Sequence, residues 1–338
     1  MRRWEAQRDD LLAGRPVRPV GPDELLVKGL CNQYLTHKKR LADAGEIAER
    51  TFDEYLAACR RLARVVGAGT AVSHLVREDF TRLRADMEKT WGPVRVLNEV
   101  RRVRMVFTFG VAQNLIDHLP LYGDGMKRPS AKVLRKSRAE KGPRMFEPSQ
   151  LRRILDAANA TMRAMILLGI NCGYGNTDLA GMERRRLDLK TGWADYPRPK
   201  TGIPRRCPLW PETIAAVRQV LGLRRKQQAA GKRARQLLFL TRGGKPWRSK
   251  TGDPISVAFG RLVRRLGLHR AGLGFYALRH TLQTVGGDTK DEPAVSAIMG
   301  HFARANDMSA VYRERIGDDR LAAVAEHVRK WLFGGETE

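Results

Sequence analysis

Cysteine is scarce and scattered in this chain. Cys31, Cys59, Cys172 and Cys207 form no C-x-x-C pair, which argues against a zinc site or a disulfide framework and fits a reducing compartment. Acidic residues are also short, 36 Asp+Glu against 63 Lys+Arg, so the formal net charge is +27. No apolar run approaches the roughly 20 residues that span a bilayer. Met1-Arg2-Arg3-Trp4-Glu5 lacks the apolar core of a signal peptide. No carboxylate or His/Cys cluster has metal-ligand spacing, and nothing calls for a cofactor. These absences predict a cytoplasmic protein with no membrane segment.

What remains is a chain of 338 residues, 42% hydrophobic. That supports a packed interior and suits two domains. The cationic excess repels itself, and an anionic polymer relieves the repulsion by releasing its own counterions. A polyanion is the expected partner, a nucleic acid or a membrane surface; double-stranded DNA is the one the motifs below point to.

Residues 1–20, with Pro16 and Pro19, read as a loose leader. Residues 21–120 carry helical periodicity in four stretches: Leu25, Leu26, Leu30 and Tyr34; Tyr55, Leu56, Cys59 and Leu62; Phe80, Leu83 and Met87; Val96, Val100, Val103 and Phe107. Thr51 followed by Glu54 reads as a capping box for the second. This predicts an all-α bundle. Residues 121–145 are a basic linker carrying Lys127, Arg128, Lys132, Arg135, Lys136, Arg138, Lys141 and Arg144 against only Asp124 and Glu140. Its cations suit phosphate contacts, above all Arg128, Lys132, Arg135, Lys136 and Arg138. The fourth helical stretch adds Arg95, Arg101, Arg102 and Arg104, which suit either a groove or a solvated face.

Residues 146–338 form a second domain. Glu147 or Ser149 opens a helix, and an apolar helix follows through Met162, Met165, Ile166, Leu167 and Leu168. Residues 193–196 and 205–209 alternate like short strands around the turn Pro197-Arg198-Pro199-Lys200-Thr201-Gly202, and 237–240 read as a further strand. Helices dominate from Val257 onward. The last, over 318–332, has Leu321, Val324 and Val328 on one side, suited to packing in cis or on another protomer. The fold class is mainly α with a small antiparallel sheet in the C-terminal domain.

Four groups of residues carry the chemistry: Lys200 in the hairpin turn, then Tyr276-Ala277-Leu278-Arg279-His280, then Gly300-His301, then Tyr312, eleven positions after His301. Taken singly, each has an ordinary structural explanation. In this order and spacing they resemble the tyrosine recombinases, or phage-type integrases, across residues 146–334. The preceding bundle resembles that family's SAM-like core-binding domain more weakly. The resemblance implies a site-specific recombinase that cuts and rejoins DNA through a 3′-phosphotyrosine, without metal or ATP. Arg279 and His301 would stabilise charge on the nonbridging phosphate oxygens. Lys200 would protonate the departing 5′ oxygen, and Tyr312 would attack the phosphorus. Tyr276 stands where the family more often has histidine, and a phenol can donate the same hydrogen bond. His280 fits a packing or orienting role. The resemblance also implies two domains clamped around the duplex and a homotetramer on paired sites, with accessory DNA-bending proteins compatible with that assembly.

One departure matters. Cys172-Gly173-Tyr174-Gly175-Asn176-Thr177-Asp178-Leu179 matches the first motif at Gly173, Asp178 and Leu179, but Gly175 stands where the family has arginine. Asn176 offers a neutral donor; Arg184, Arg185, Arg186, Arg205 and Arg206 offer guanidinium groups. A catalytically impaired DNA-binding protein of the same fold is therefore an alternative. A relaxing enzyme of the type IB topoisomerase kind is disfavoured by the hairpin lysine, the order of the motifs and the bundle domain.

Overall fold

The computed structural model describes residues 23–140, 142–225, 231–249, 252–301 and 315–334. Residues 1–20 and Tyr312 lie outside the described residues. The chain divides into two compact units, Met1–Gly142 and Pro143–Glu338. Among the described residues it is mainly helical, with a three-stranded antiparallel sheet in the second unit. No described helix is long and apolar enough to cross a membrane.

The first unit contains α1 (Val27–Asp43), α2 (Glu49–Val66), α3 (Arg77–Glu88) and α4 (Pro93–Ala112). Three- and four-residue spacing puts Leu30 and Tyr34, Cys59 and Leu62, Phe80 and Leu83, and Val100 and Phe107 on inward faces, where they share one core. Pro93 occupies the first helical position of α4, where its missing N–H leaves no bond unmade. Thr51 does not cap α2. That helix begins at Glu49, whose charge in the first turn meets the helix dipole. The start of the basic segment folds back onto the bundle. Tyr122 packs edge-on to Phe80 and Phe107, with ring centroids 5.0 and 5.9 Å away, and Met126 is buried. Beyond it, α5 (Ala131–Ala139) is capped by Ser130 Oγ and buries none of its residues.

In the second unit, α6 (Pro148–Ala157) opens with Glu147 as its cap residue. The centre is α7 (Ala160–Asn171). Met162, Met165, Ile166, Leu167 and Leu168 are all buried, as expected for a helix apolar on every side. The sheet runs β1 (Leu187–Asp188), β2 (Trp193–Asp195), β3 (Arg206–Pro208), with Ala194 opposite Cys207. Then come α8 (Asn176–Ala180), between α7 and the sheet, and after the sheet α9 (Pro211–Arg225), α10 (Lys232–Gln236), α11 (Pro254–Arg265), α12 (Ala277–Gly287), α13 (Glu292–Met299) and α14 (Asp318–Phe333). The expected strand over 237–240 does not form. Leu237 and Leu240 make only isolated bridges, to Glu183 and Pro246.

The terminal helix α14 packs in cis. Leu321, Val324, Val328 and Leu332 enter the core of its own unit. Trp210 Nε1 donates to Ala325 O at 2.9 Å, and Arg329 grips both oxygens of Glu212 at 2.7 and 3.0 Å.

One buried amide ties the central helix to the sheet and to α9. Asn171 Oδ1 accepts from Trp210 N–H at 2.9 Å and Thr213 Oγ1 at 3.0 Å, while Nδ2 donates to Pro208 O at 2.9 Å. Asn171→Ala leaves those buried partners unpaired. It is expected to lower the stability of the second unit by about 2–4 kcal/mol, read as a drop in its urea midpoint. An unchanged midpoint would contradict the role given to this amide.

Candidate active site around Arg279

Arg279 lies in the first turn of α12 with 3% of its surface exposed. Its Nη1 donates to Gly173 O and its Nη2 to Met299 O, both at 2.6 Å. Gly173 follows the C-terminus of α7 and Met299 ends α13. Two helix ends that carry partial negative charge thus converge on one buried cation. Both ends turn on glycine. Gly173 has φ +66°, and a Cβ there would fall 2.7 Å from Met299 Sδ. Gly300, at φ +60°, would drive a Cβ to 2.7 Å from the Arg205 side chain. Neither position admits another residue without rearrangement.

His301 Nε2 lies 3.0 Å from Arg279 Nη2. A guanidinium only donates, so Nε2 accepts and the ring proton sits on Nδ1. Burial lowers the pKa of His301, and the charges of Arg279 and Arg198 push the same way, which favours this neutral form. Burial also lowers the pKa of Arg279, with Tyr276 opposing and Arg198 adding to the depression. Arginine nevertheless stays charged in proteins. His280 is depressed by burial and by Arg144 and Arg279.

The hairpin joining β2 and β3 forms the other wall. Its base is held by Arg205, whose side chain is fully buried. Arg205 Nε donates to Tyr196 O at 2.9 Å and Nη1 to Asp178 Oδ2 at 3.0 Å. The guanidinium lies over the rings of Tyr174 and Tyr196, 4.6 and 5.3 Å from their centroids. Asp178 Oδ2 also accepts from Gly175 N–H at 2.9 Å, so one carboxylate fixes both the first-motif turn and the hairpin. Arg198 Nη1 donates to Gly300 O at 3.1 Å.

The residues singled out in the sequence are distributed as follows. Arg279 and His301 are in direct contact. Lys200 is exposed in the hairpin turn. Tyr276 is half exposed and meets His280 edge-on at 5.4 Å. Its ring lies 3.5 Å from where a Cβ at position 175 would stand. Of the groups considered for the missing arginine, most are engaged elsewhere. Asn176 Nδ2 is 2.6 Å from both Asp253 Oδ2 and Ser256 Oγ at the start of α11. Arg184 donates to Arg235 O, and Arg185 pairs with Glu183. Arg206 pairs with Asp195 and Asp318 and covers Trp193. Arg186 stands before β1, half-buried. Arg198 was not anticipated from the sequence; its only signal was its place two residues before Lys200.

In the first unit, Arg128, Lys132, Arg135, Lys136 and Arg138 are all exposed to solvent. On α4, Arg102 is engaged with Glu54 and Glu99, whereas Arg101 and Arg104 are exposed. No cluster of residues able to hold a metal ion occurs among the described residues.

No protein-family model and no curated protein matches the chain. Solved structures do. The integrase of the Tn1549 transposon, in complex with a circular intermediate DNA, is 19% identical and superposes with a TM-score of 0.66, covering 89% of this chain and 99% of that one. The lambda integrase dimer bound to a core site is 15% identical, with a TM-score of 0.64 over 93% of this chain and 85% of that one. A lambda integrase tetramer bound to a Holliday junction gives 14% and 0.64, over 93% and 86%. At these identities the likeness is one of fold, and the chain has the fold of the tyrosine recombinases.

Proposed function

We propose that the protein is a site-specific DNA recombinase that cleaves and rejoins strands through a covalent 3′-phosphotyrosine on Tyr312. The observation that carries this reading is the buried guanidinium of Arg279, held by two helix-end carbonyls and His301 rather than by a carboxylate. Its Nε–H and second Nη1 proton have no partner among the described residues. They offer fixed donors to a phosphate oxygen in a site shielded from water, where such donors stabilise developing charge best.

In the proposed reaction the Tyr312 oxygen attacks phosphorus, the phenol losing its proton to water. The P–O5′ bond breaks as the phosphotyrosyl bond forms. Lys200, exposed on the hairpin, gives its proton to the departing oxygen. His301 donates through Nδ1–H to a nonbridging oxygen, and Tyr276 donates through its hydroxyl. Attack by another 5′ hydroxyl on the phosphotyrosyl bond reverses the step, so rejoining needs neither ATP nor metal. The lambda integrase tetramer on a Holliday junction supports a homotetramer on paired sites.

The second reading, a DNA-binding protein with a spent site, draws on the missing side chain at Gly175. Nicked suicide duplexes tiling the DNA on both sides of its own gene distinguish the two. Wild-type protein is expected to form an SDS-resistant adduct that Tyr312→Phe abolishes and Arg279→Ala slows on the order of 10²–10³-fold. Absence of any adduct, with DNA binding intact, would leave only the second reading.

Binding is expected to weaken steeply with salt. Replacing Lys132, Arg135, Lys136 and Arg138 by glutamine should flatten the log–log slope by about 0.9 for each phosphate that is no longer neutralised, equally on all sequences. An affinity independent of salt in the wild type would contradict the phosphate-binding role of this segment.

A further inference from the structure

We infer that Arg198 supplies the second guanidinium of the phosphate site, in place of the side chain that position 175 lacks. The inference rests on the recombinase reading above and assigns a residue to it. The donors of Arg279 and Arg198 take consecutive carbonyls at the end of α13. Arg279 Nη2 binds Met299 O and Arg198 Nη1 binds Gly300 O, with His301 the next residue. Two guanidinium groups thus flank one imidazole at the same helix end. No ion pair with a carboxylate holds either of them among the described residues. The charge of Arg198 acts on both Arg279 and His301. Asp178, already paired with Arg205, offsets the charge on Arg279 from a distance; the repulsion between Arg279 and Arg198 still raises the energy of the empty site, and an anion between them removes that cost.

Arg198 is also accessible, unlike Arg205. The Arg205 side chain is fully buried against Asp178 and two tyrosine rings, so it carries the hairpin rather than meeting a substrate. Arg198 is only half-buried, and its donors beyond the one on Gly300 are not sealed in the interior. Its backbone is fixed. Pro197 and Pro199 flank it, and a residue before proline is confined to extended conformations. Its N–H donates to Ile203 O at 2.8 Å, and its carbonyl accepts from Thr201 and Gly202 N–H. The guanidinium therefore projects from a rigid base two residues from Lys200, and little ordering remains to be done when substrate arrives.

Single-turnover adduct formation on the nicked duplexes, with duplex affinity measured separately, tests the assignment. Arg198→Ala is expected to slow adduct formation on the order of 10²–10³-fold while leaving the melting temperature unchanged and affecting affinity far less than rate. On a duplex whose scissile phosphate is a neutral methylphosphonate, the gap between Arg198→Ala and wild type should largely close, because the oxygen charge that the guanidinium serves is gone. A purely structural loss would persist on both substrates. Wild-type cleavage rates in Arg198→Ala, or an equal defect on methylphosphonate DNA, would overturn the assignment while the recombinase reading stands. Absence of any adduct from wild-type protein would overturn both.

Discussion

A buried guanidinium with no carboxylate bonded to it among the described residues organises the second unit. Taking a cation out of water is expensive unless its donors are met, and here three are, two by backbone carbonyls and one by His301. Arg279 gathers the carbonyls that close α7 and α13, and its charge is tempered by helix-end dipoles and, without a direct ion pair among the described residues, by Asp178. Much local geometry follows. Gly173 and Gly300 must turn left-handed to present or flank those carbonyls. His301 must be neutral to accept from Nη2. A carboxylate in the same place would secure the cation more simply but would also satisfy it, leaving nothing for a phosphate to bind.

The hairpin divides its arginines between support and reach. Arg205 is sunk into the unit and locked to Asp178, which also holds the turn at Gly175. Arg206 lies across Trp193 and ties the sheet to the first turn of α14. Arg198 and Lys200 emerge from the rim between them. A small sheet of three short strands can position cations accurately because its base is anchored by a buried ion pair and by Asn171 under β3.

Most helices were legible because their apolar residues recur every three or four positions, as on α3 with Phe80, Leu83 and Met87, and because Glu147 marks a real start. The hairpin was legible from the alternation on both sides of Lys200. Thr51 misled because a nearby acidic side chain served α2 without a cap bond. Leu237–Leu240 misled because an apolar run with no neighbouring strand to pair with makes bridges rather than a sheet. Arg279 and His301 were visible as motif residues. Their contact was not, because Gly173, whose carbonyl holds the guanidinium, lies over a hundred residues away in the chain and leaves no local mark. Arg198 was hidden for a different reason: in a chain with 63 Lys+Arg, one more arginine carries no signal until its neighbours are known. The same abundance made Arg184, Arg185 and Arg206 look available, although Arg184 and Arg206 have distant partners and Arg185 pairs with its neighbour Glu183; Asn176 is taken as well.

The pocket around Arg279 can serve DNA only if it holds unmet positive charge awaiting an anion. Titration of the His301 imidazole by NMR, in free protein and with duplex DNA, reads that charge from inside the site. The pKa should lie below the ordinary 6.5 in the free protein and shift upward when DNA phosphate enters. A free value at or above 6.5, or a value that DNA binding does not move, would contradict it.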